Sequence, residues 1–331
     1  MPMNPGLKVI LLSLLGVWIL PSQSLAQTCS CAGAPLISSQ SSGVSGAGEW
    51  VIGFTYEFHE ISSVYTGSSL LETDETTRNT QSTLIEVNYG ITERLSVSAT
   101  TTYVRKERES GRTFEGSGRN VTTAGIGDGI VTLDYNLIQQ DLWNRFGWSV
   151  TGGAKIPFGS TSRTNNGFQL NADMQPGTGA WDGVAGTRFS VSLLPWATMN
   201  AFFDATYRYT GSNDRFGGND EYEFGNELVS NLGAAGEINE NFSFELPLRY
   251  RSTSSDQRNG VSMPNTGGFW LTLEPAVNYG INDRLGVRLS GRVPVHQDLN
   301  GTQPSTTFAV SGSLFINFNQ QDQEFIYGTP R

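Results

Sequence analysis

A two-residue alternation of apolar and polar side chains constrains this chain more than any other feature. Between Trp50 and His59 every second side chain is large and apolar, and the pattern returns throughout the chain. Side chains alternate between the two faces of a β-strand, so each such segment has one apolar and one polar face. We find twelve of these segments, at 49–59, 80–90, 95–104, 126–138, 145–156, 181–194, 197–210, 222–237, 242–252, 269–279, 284–294 and 306–318.

The connections between these segments alternate between short and long. The short ones are 90–94, 139–144, 194–197, 239–241 and 280–284, and the long ones are 60–79, 105–125, 157–180, 211–221, 253–268 and 295–305. Short turns at one end and long loops at the other are typical of outer-membrane barrels. The sequence therefore predicts an all-β fold, a transmembrane antiparallel up-and-down β-barrel of about 12 strands over residues 49–318.

A soluble β-sandwich is the alternative, because it also alternates apolar and polar residues. The aromatic residues argue against it, since those on the apolar faces gather near the strand ends. Two aromatic belts that bound an aliphatic band are typical of a membrane barrel. One predicted belt holds Trp50, Tyr89, Phe146, Trp148, Phe242, Tyr279 and Phe318, and the other holds Phe58, Tyr103, Tyr207, Tyr209, Tyr250 and Phe269.

The N-terminus has the features of an export signal. Lys8 precedes an apolar run over 9–20, and residues 24–26 read Ser-Leu-Ala, a small-x-small cleavage motif. We expect a signal peptide at 1–26, a periplasmic lead at 27–48 and a periplasmic tail at 319–331. The expected location is the outer membrane of a Gram-negative bacterium. The expected partners are outer-membrane lipid, periplasmic chaperones, the barrel-assembly machinery and a small-molecule solute.

The composition limits which other classes of partner are expected. The net charge is -10, with only 21 Lys and Arg residues in 331, which disfavours a nucleic acid partner. Cys29 and Cys31 in the predicted lead could bind a soft metal such as Cu(I), pair with a cysteine of another protein, or lie oxidised in a flexible tail. Two ligands alone make an incomplete metal site. We predict no other cofactor.

Four glycine-rich phrases carry a family resemblance. They are Gly125–Gly129, Lys155–Gly159, Gln175–Asp182 and Val293–Gly301. In order and spacing they resemble the outer-membrane proteins grouped under the meta pathway of phenol degradation. The resemblance implies a barrel with a transport role, and it adds aromatic solutes to the candidate classes.

Charged residues on the polar faces are the candidate functional residues. Arg188 is expected opposite Asp204, and Glu274 is expected diagonal to Arg288, because such cross-strand neighbours interact. These charges either brace a narrow lumen or line a path for solutes. The predicted lumen-lining residues are Glu57, Glu86, Asp134, Lys155, Arg188, Asp204, Arg208, Glu245, Arg249, Arg251, Glu274, Arg288 and Arg292.

We expect a channel or transporter for small solutes. Arg249, Arg251 and Arg292 fall toward the long-loop half, which favours anionic or carboxylate-bearing solutes. The alternatives are a surface structural or adhesion barrel with a plugged lumen and an outer-membrane enzyme. The sequence has two histidines, and it lacks a zinc-protease motif and a Gly-x-Ser-x-Gly elbow, so we predict no enzyme and no catalytic residues.

The predicted orientation is testable by surface labelling of intact cells. Cysteines introduced at Ser68, Asn166 or Asn259 in the long loops should react with a membrane-impermeant maleimide. Cysteines introduced at Glu93 or Asn282 in the short turns should not react until the outer membrane is opened. Labelling of the short turns on intact cells would show that the barrel is inverted.

Overall fold

The computed structural model describes residues 45–71, 76–110, 119–141, 144–193 and 199–318. The predicted signal peptide at 1–26, most of the predicted lead including Cys29 and Cys31, and the predicted tail at 319–331 lie outside these ranges. The predicted short turn at 194–197 lies outside them as well.

Twelve antiparallel strands form the barrel wall. We number them in chain order and give the two parts of an interrupted strand together. They are β1 (Trp50–Ile61), β2 (Thr76–Thr92), β3 (Leu95–Ser110), β4 (Arg119–Ile126 with Gly129–Ile138), β5 (Phe146–Ile156), β6 (Asp182–Ser192), β7 (Met199–Tyr209), β8 (Glu227–Glu237), β9 (Phe242–Thr253), β10 (Gly268–Leu273 with Ala276–Asn282), β11 (Leu285–Ser305) and β12 (Phe308–Phe318).

The sheet closes on itself. Each strand pairs with the next along the chain, and β1 completes the circle by pairing with β12 from Trp50 opposite Phe318 to Glu60 opposite Phe308. Closure pairs the backbone groups of both edge strands, which an open sheet would leave exposed. The predicted all-β, twelve-stranded antiparallel barrel is confirmed.

Several strand boundaries differ from the prediction. β2, β3 and β11 run well beyond it, because they pair with neighbouring segments above the barrel, as Ser110 does with Arg119. β4 is interrupted at Gly127 and Asp128, and β10 at Glu274 and Pro275. The predicted strand at 222–237 begins only at Glu227, because the residues before it belong to a sheet in the loops.

The outward faces carry the apolar side chains, as the alternation predicts. On β4, Leu133 is half exposed whereas the neighbouring Thr132 is buried in the interior. Aromatic rings pair on adjacent strands at both ends of the barrel. Trp50 stacks near Tyr89 with centroids 4.4 Å apart at the short-turn end, and Tyr250 lies 5.9 Å from Phe269 at the other end.

The long connections contain their own secondary structure. A hairpin of Ser63–Gly67 and Ser69–Leu71 pairs with the extension of β11, and Thr164–Asn165 pairs with Phe168–Gln169. Four short strands form a separate sheet above the barrel: Ser212–Phe216, Asp220–Glu223, Gln257–Arg258 and Val261–Ser262. A single-turn 3-10 helix spans Ala172–Met174. Within the described ranges, no helix is long and apolar enough to cross a membrane.

Arginine substitutions on the two faces should have unequal effects. Leu133→Arg or Leu246→Arg places a charge on the apolar outer face, where lipid burial costs about 2–4 kcal/mol at the midplane. Thr132→Arg places the same charge inside, next to Asp134. The heat-modifiable folded band recovered from membranes should fall sharply for the two outward variants and much less for Thr132→Arg. Equal losses on both faces would contradict the assigned register.

Candidate functional site

The predicted lumen-lining residues share one location. All thirteen belong to inward-facing positions on the barrel strands or at the interruption of β10, and none of them is exposed on the outer surface. Lys155, Arg208, Arg249, Glu274 and Arg288 are buried. That these side chains line a path for solutes remains a prediction. Their contacts divide them into several groups along the barrel.

An ion cluster lies in the half of the lumen nearest the long loops. The Glu227 carboxylate accepts hydrogen bonds from Arg208 Nη2 at 2.7 Å and Arg251 Nε at 2.6 Å. The guanidinium of Arg251 also lies over the ring of Trp270, 4.8 Å from its centroid. Register places Glu227 directly opposite Arg208, so adjacent strands supply this pair.

A second cluster surrounds Glu274 at the interruption of β10. Its carboxylate pairs with Arg292 Nε and lies 3.7 Å from Arg249 Nε. The predicted diagonal contact between Glu274 and Arg288 is wrong. The register shift between Gly280 and Asn282 moves the hairpin, so that Arg288 lies opposite Asn278.

The remaining contacts join residues of one strand, of adjacent strands, or of strands two apart. Arg288 Nη1 donates to Glu245 at 2.7 Å, and His59 Nε2 lies 3.3 Å from Glu57. Arg188 lies directly opposite Asp204, as predicted. Its guanidinium sits over the ring of Phe202 at 5.0 Å, while Asp204 accepts from Asn231 at 2.8 Å.

Two acids nearer the short turns have a different environment. Asp134 accepts hydrogen bonds from Thr151 at 2.5 Å, Thr132 at 3.3 Å and Ser98 at 3.4 Å. Neither Asp134 nor Glu86 forms a salt bridge with a residue that the structure describes. Two acids without a salt bridge therefore lie near the short turns, whereas Arg208, Arg251 and Arg292 lie nearer the long loops.

The connection between β5 and β6, residues 157–181, folds into the mouth of the barrel. We call it the inserted loop. Its Asp173 is buried and pairs with Arg78 Nη1 at 2.5 Å and with Arg108 Nη2. Lys106 Nζ donates to the backbone oxygens of Asp173 at 2.7 Å and Gln175 at 2.8 Å. Cations on β2 and β3 thus hold the loop across the lumen.

Both ends of the inserted loop are fastened at one buried point. Asp128, at the interruption of β4, accepts from the backbone N–H groups of Gly159 at 3.0 Å and Thr178 at 2.9 Å. Lys155 Nζ lies 3.4 Å from Asp128 and 2.8 Å from Asp182. Gly159 approaches Gly177 so closely that a Cβ on either would clash with the other's backbone. We call Asp128, Lys155, Thr178 and Asp182 the clamp.

Other long connections cover the inserted loop from above. Ala172 packs in a buried apolar cluster with Phe216, Tyr222 and Phe224 from the connection between β7 and β8. The Tyr222 hydroxyl donates to Asp256 at 2.6 Å, and burial raises the pKa of that carboxyl. The loop therefore packs between the barrel wall and a layer of extramembrane structure.

Two cavities remain beside these elements. One of about 50 Å³ lies beneath the inserted loop, bounded among others by Arg78, Asp173, Arg251 and Trp270. The other, of about 30 Å³, lies farther down and is bounded by Glu57, His59, Glu274, Arg288 and Arg292. Both cavities are small, and both have charged walls.

Sequence analysis missed several residues of this site. Arg78, Lys106, Arg108 and Asp173 lie in connections or strand extensions where periodicity gave no signal. The clamp, by contrast, had a signal, because its residues belong to three of the four phrases that carry the family resemblance. No group of three or more metal-ligating side chains occurs among the residues described.

Comparisons with known proteins identify the fold. No family model and no curated protein matches the chain. The crystal structure of an outer membrane channel from Pseudomonas putida F1 is similar, with a TM-score of 0.67 and 14% identity over 85% of this chain and 100% of that one. The transport unit of the autotransporter AIDA-I from Escherichia coli scores 0.49 at 9% identity over 87% and 95%. The NanC porin scores 0.46 at 10% identity over 80% and 98%.

Loss of the clamp should release the inserted loop. Asp128→Ala leaves Lys155 with one carboxylate and removes the acceptor of two backbone N–H groups. Removing one partner of a buried ion pair lowers the stability by about 3–5 kcal/mol. Limited proteolysis of the folded barrel in detergent should then cut between 157 and 180. Asp283→Ala, in an exposed short turn, is the control and should remain resistant. Equal resistance of both variants would show that the clamp does not hold the loop.

Proposed function

We propose that this protein is an outer-membrane channel for small solutes, narrowed by its inserted loop. One observation carries the proposal: a closed barrel combines an apolar outer face with an interior lined by charged side chains. That combination suits a wall between lipid and an aqueous path. The similarity in fold to the Pseudomonas putida channel supports the same conclusion.

The proposed location is the outer membrane of a Gram-negative bacterium, reached after cleavage of the export signal. Closed barrels with an apolar band are assembled there, which implies periplasmic chaperones and the barrel-assembly machinery as partners. The long loops would face outward, and Asp134 and Glu86 would lie toward the periplasm. A solute would then meet the inserted loop and the arginines before the acids.

The inserted loop would set the width of the path. A twelve-stranded barrel lies between the filled eight-stranded barrels and the open sixteen-stranded porins. Its interior is therefore wide enough for a path, and a loop inserted into it removes most of that space. A cavity of about 50 Å³ lies beneath the loop beside Asp173. We expect the passage of larger solutes to require the loop to move.

A plugged structural barrel is the second candidate. The observation in its favour is that Arg251, Arg288 and Arg292 each pair with a carboxylate inside the lumen. Aromatic solutes are a further proposed class for the channel, supported by the family resemblance. We propose no enzymatic activity.

Neutralising the anchor of the inserted loop should open the channel. Asp173→Asn removes the charge that Arg78 and Arg108 share, and the two guanidinium groups then repel each other. The loop should leave the mouth, and single-channel conductance in planar bilayers should rise several-fold above that of the wild type. Asp214→Asn, on an exposed loop strand, is the matched control and should leave the conductance unchanged.

The same measurement separates the two candidates. A small wild-type current that increases in Asp173→Asn supports a channel narrowed by the loop. If the folded wild type and Asp173→Asn both fail to conduct, the channel proposal is wrong and the plugged barrel takes its place. A wild-type current that Asp173→Asn leaves unchanged would show a path that bypasses the loop.

A further inference from the structure

Arg249 is a buried arginine whose terminal nitrogens find no hydrogen-bond partner among the described residues. Its side chain is 2% exposed, yet Nη1 and Nη2 both lack a hydrogen-bond partner in the described structure. A buried guanidinium normally uses these donors, because leaving a charged donor unsatisfied is costly. Among the residues that the structure describes, Glu274 is the carboxylate within 4.0 Å, at 3.7 Å from Nε.

The neighbouring arginines differ from Arg249 in this respect. Arg251 donates to Glu227, Arg288 to Glu245, and Arg292 to Glu274. Register explains the difference, since the residues directly opposite Arg249 on the two adjacent strands are Asn231 and Thr272, both neutral. The adjacent strands therefore supply no counter-ion for it at its own level.

Glu274 does not satisfy Arg249 either. The carboxylate is already hydrogen-bonded to Arg292, so two guanidinium groups share one acid. Glu57 is a further acid near both arginines, and with it the formal charge of the group is zero. The feature that suits an anion is therefore the pair of unused terminal nitrogens of Arg249.

We propose that Arg249 is a binding site for the carboxylate of a small solute. The two terminal nitrogens of a guanidinium match the two oxygens of a carboxylate in a bidentate pair. Such a pair is stronger in a buried setting than in water. The proposal rests on the proposed channel function for its biological role and names the class of solute that the channel would select.

A cavity adjoins the residues around Arg249. This cavity of about 30 Å³ is bounded by Glu274 and Arg292, two of the four charged residues that act on Arg249, although Arg249 itself does not bound it. A carboxylate that enters there reaches Arg249 by displacing Glu274. Acetate is the simplest probe of this chemistry, because it carries a carboxylate and a single methyl group.

Acetate and its neutral isostere acetamide are suitable probes. Saturation-transfer NMR on the full chain, folded in detergent, would give the affinity of each by titration. Acetate should bind at least about tenfold more tightly than acetamide, because the amide carries no charge. No saturable acetate binding, or equal binding of the two probes, would overturn the proposal without recourse to any variant.

Two substitutions should move the acetate affinity in opposite directions. Arg249→Gln removes the guanidinium and should weaken binding at least about tenfold, a loss that corresponds to one charged pair. Glu274→Gln removes the competing acid and should tighten binding several-fold, which general damage to the fold would not do. Arg249→Lys, which keeps the charge but loses the fork, should fall between wild type and Arg249→Gln.

Arg258→Gln provides the matched control, because Arg258 pairs with Asp220 in the outer sheet, away from the lumen. It should keep the wild-type affinity for acetate. Unchanged affinity in folded Arg249→Gln, or weaker binding in Glu274→Gln, would overturn the assignment. If Arg249→Gln does not fold, Arg249→Lys and Glu274→Gln still decide it.

Bilayer recordings separate this inference from the channel proposal. Wild-type protein that conducts but shows no acetate binding refutes the site and leaves the channel intact. Protein that binds acetate through Arg249 but conducts in no variant refutes the channel and leaves the site. The two ideas therefore fail by different results.

Discussion

Charges that face into a closed barrel are most stable beside counter-ions inside it. Twelve strands enclose a lumen too narrow to hydrate many charges fully, and the low dielectric of such an interior strengthens both attraction and repulsion. Breaking one partner of a buried pair therefore costs more than the pair contributes as a whole. The arrangement of arginines and carboxylates on neighbouring strands follows from this demand, as at Arg208, Glu227 and Arg251.

The position of the inserted loop is explained by the same need for counter-ions. Arg78, Lys106 and Arg108 come from two adjacent strands and form a cationic wall near the mouth. Asp173 and the backbone oxygens around it supply the negative partner, so the loop acts as a counter-ion as well as an obstruction. The apolar contacts of Ala172 with the covering aromatics hold the same turn from the other side.

The sequence predicted the features that depend on the two-residue alternation and on the lengths of the connections, namely the twelve strands and their inward faces. It also predicted Arg188 opposite Asp204, because the two strands pair without a register shift from Gly183 to Ser192. It failed at Glu274 and Arg288, where a register shift in the turn displaced one strand against the other. Asp173 was beyond reach, because its role depends on a loop that folds back from outside the periodic segments. Alternation constrains the wall of a barrel, but it carries no information about what enters the lumen.

Ion pairs join the lumen wall to the base of the inserted loop. Arg251 contacts Glu227, Glu227 contacts Arg208, and Arg208 Nε lies 3.8 Å from Asp182, which pairs with Lys155 of the clamp. Arg249 lies two residues before Arg251 on the same face of β9, because side chains alternate along a strand. A negative charge bound at Arg249 would also attract Arg251, because opposite charges attract strongly where water is scarce. The bound solute and Glu227 would then compete for the same cations, and the loop would be held less firmly when an anion occupies the lumen.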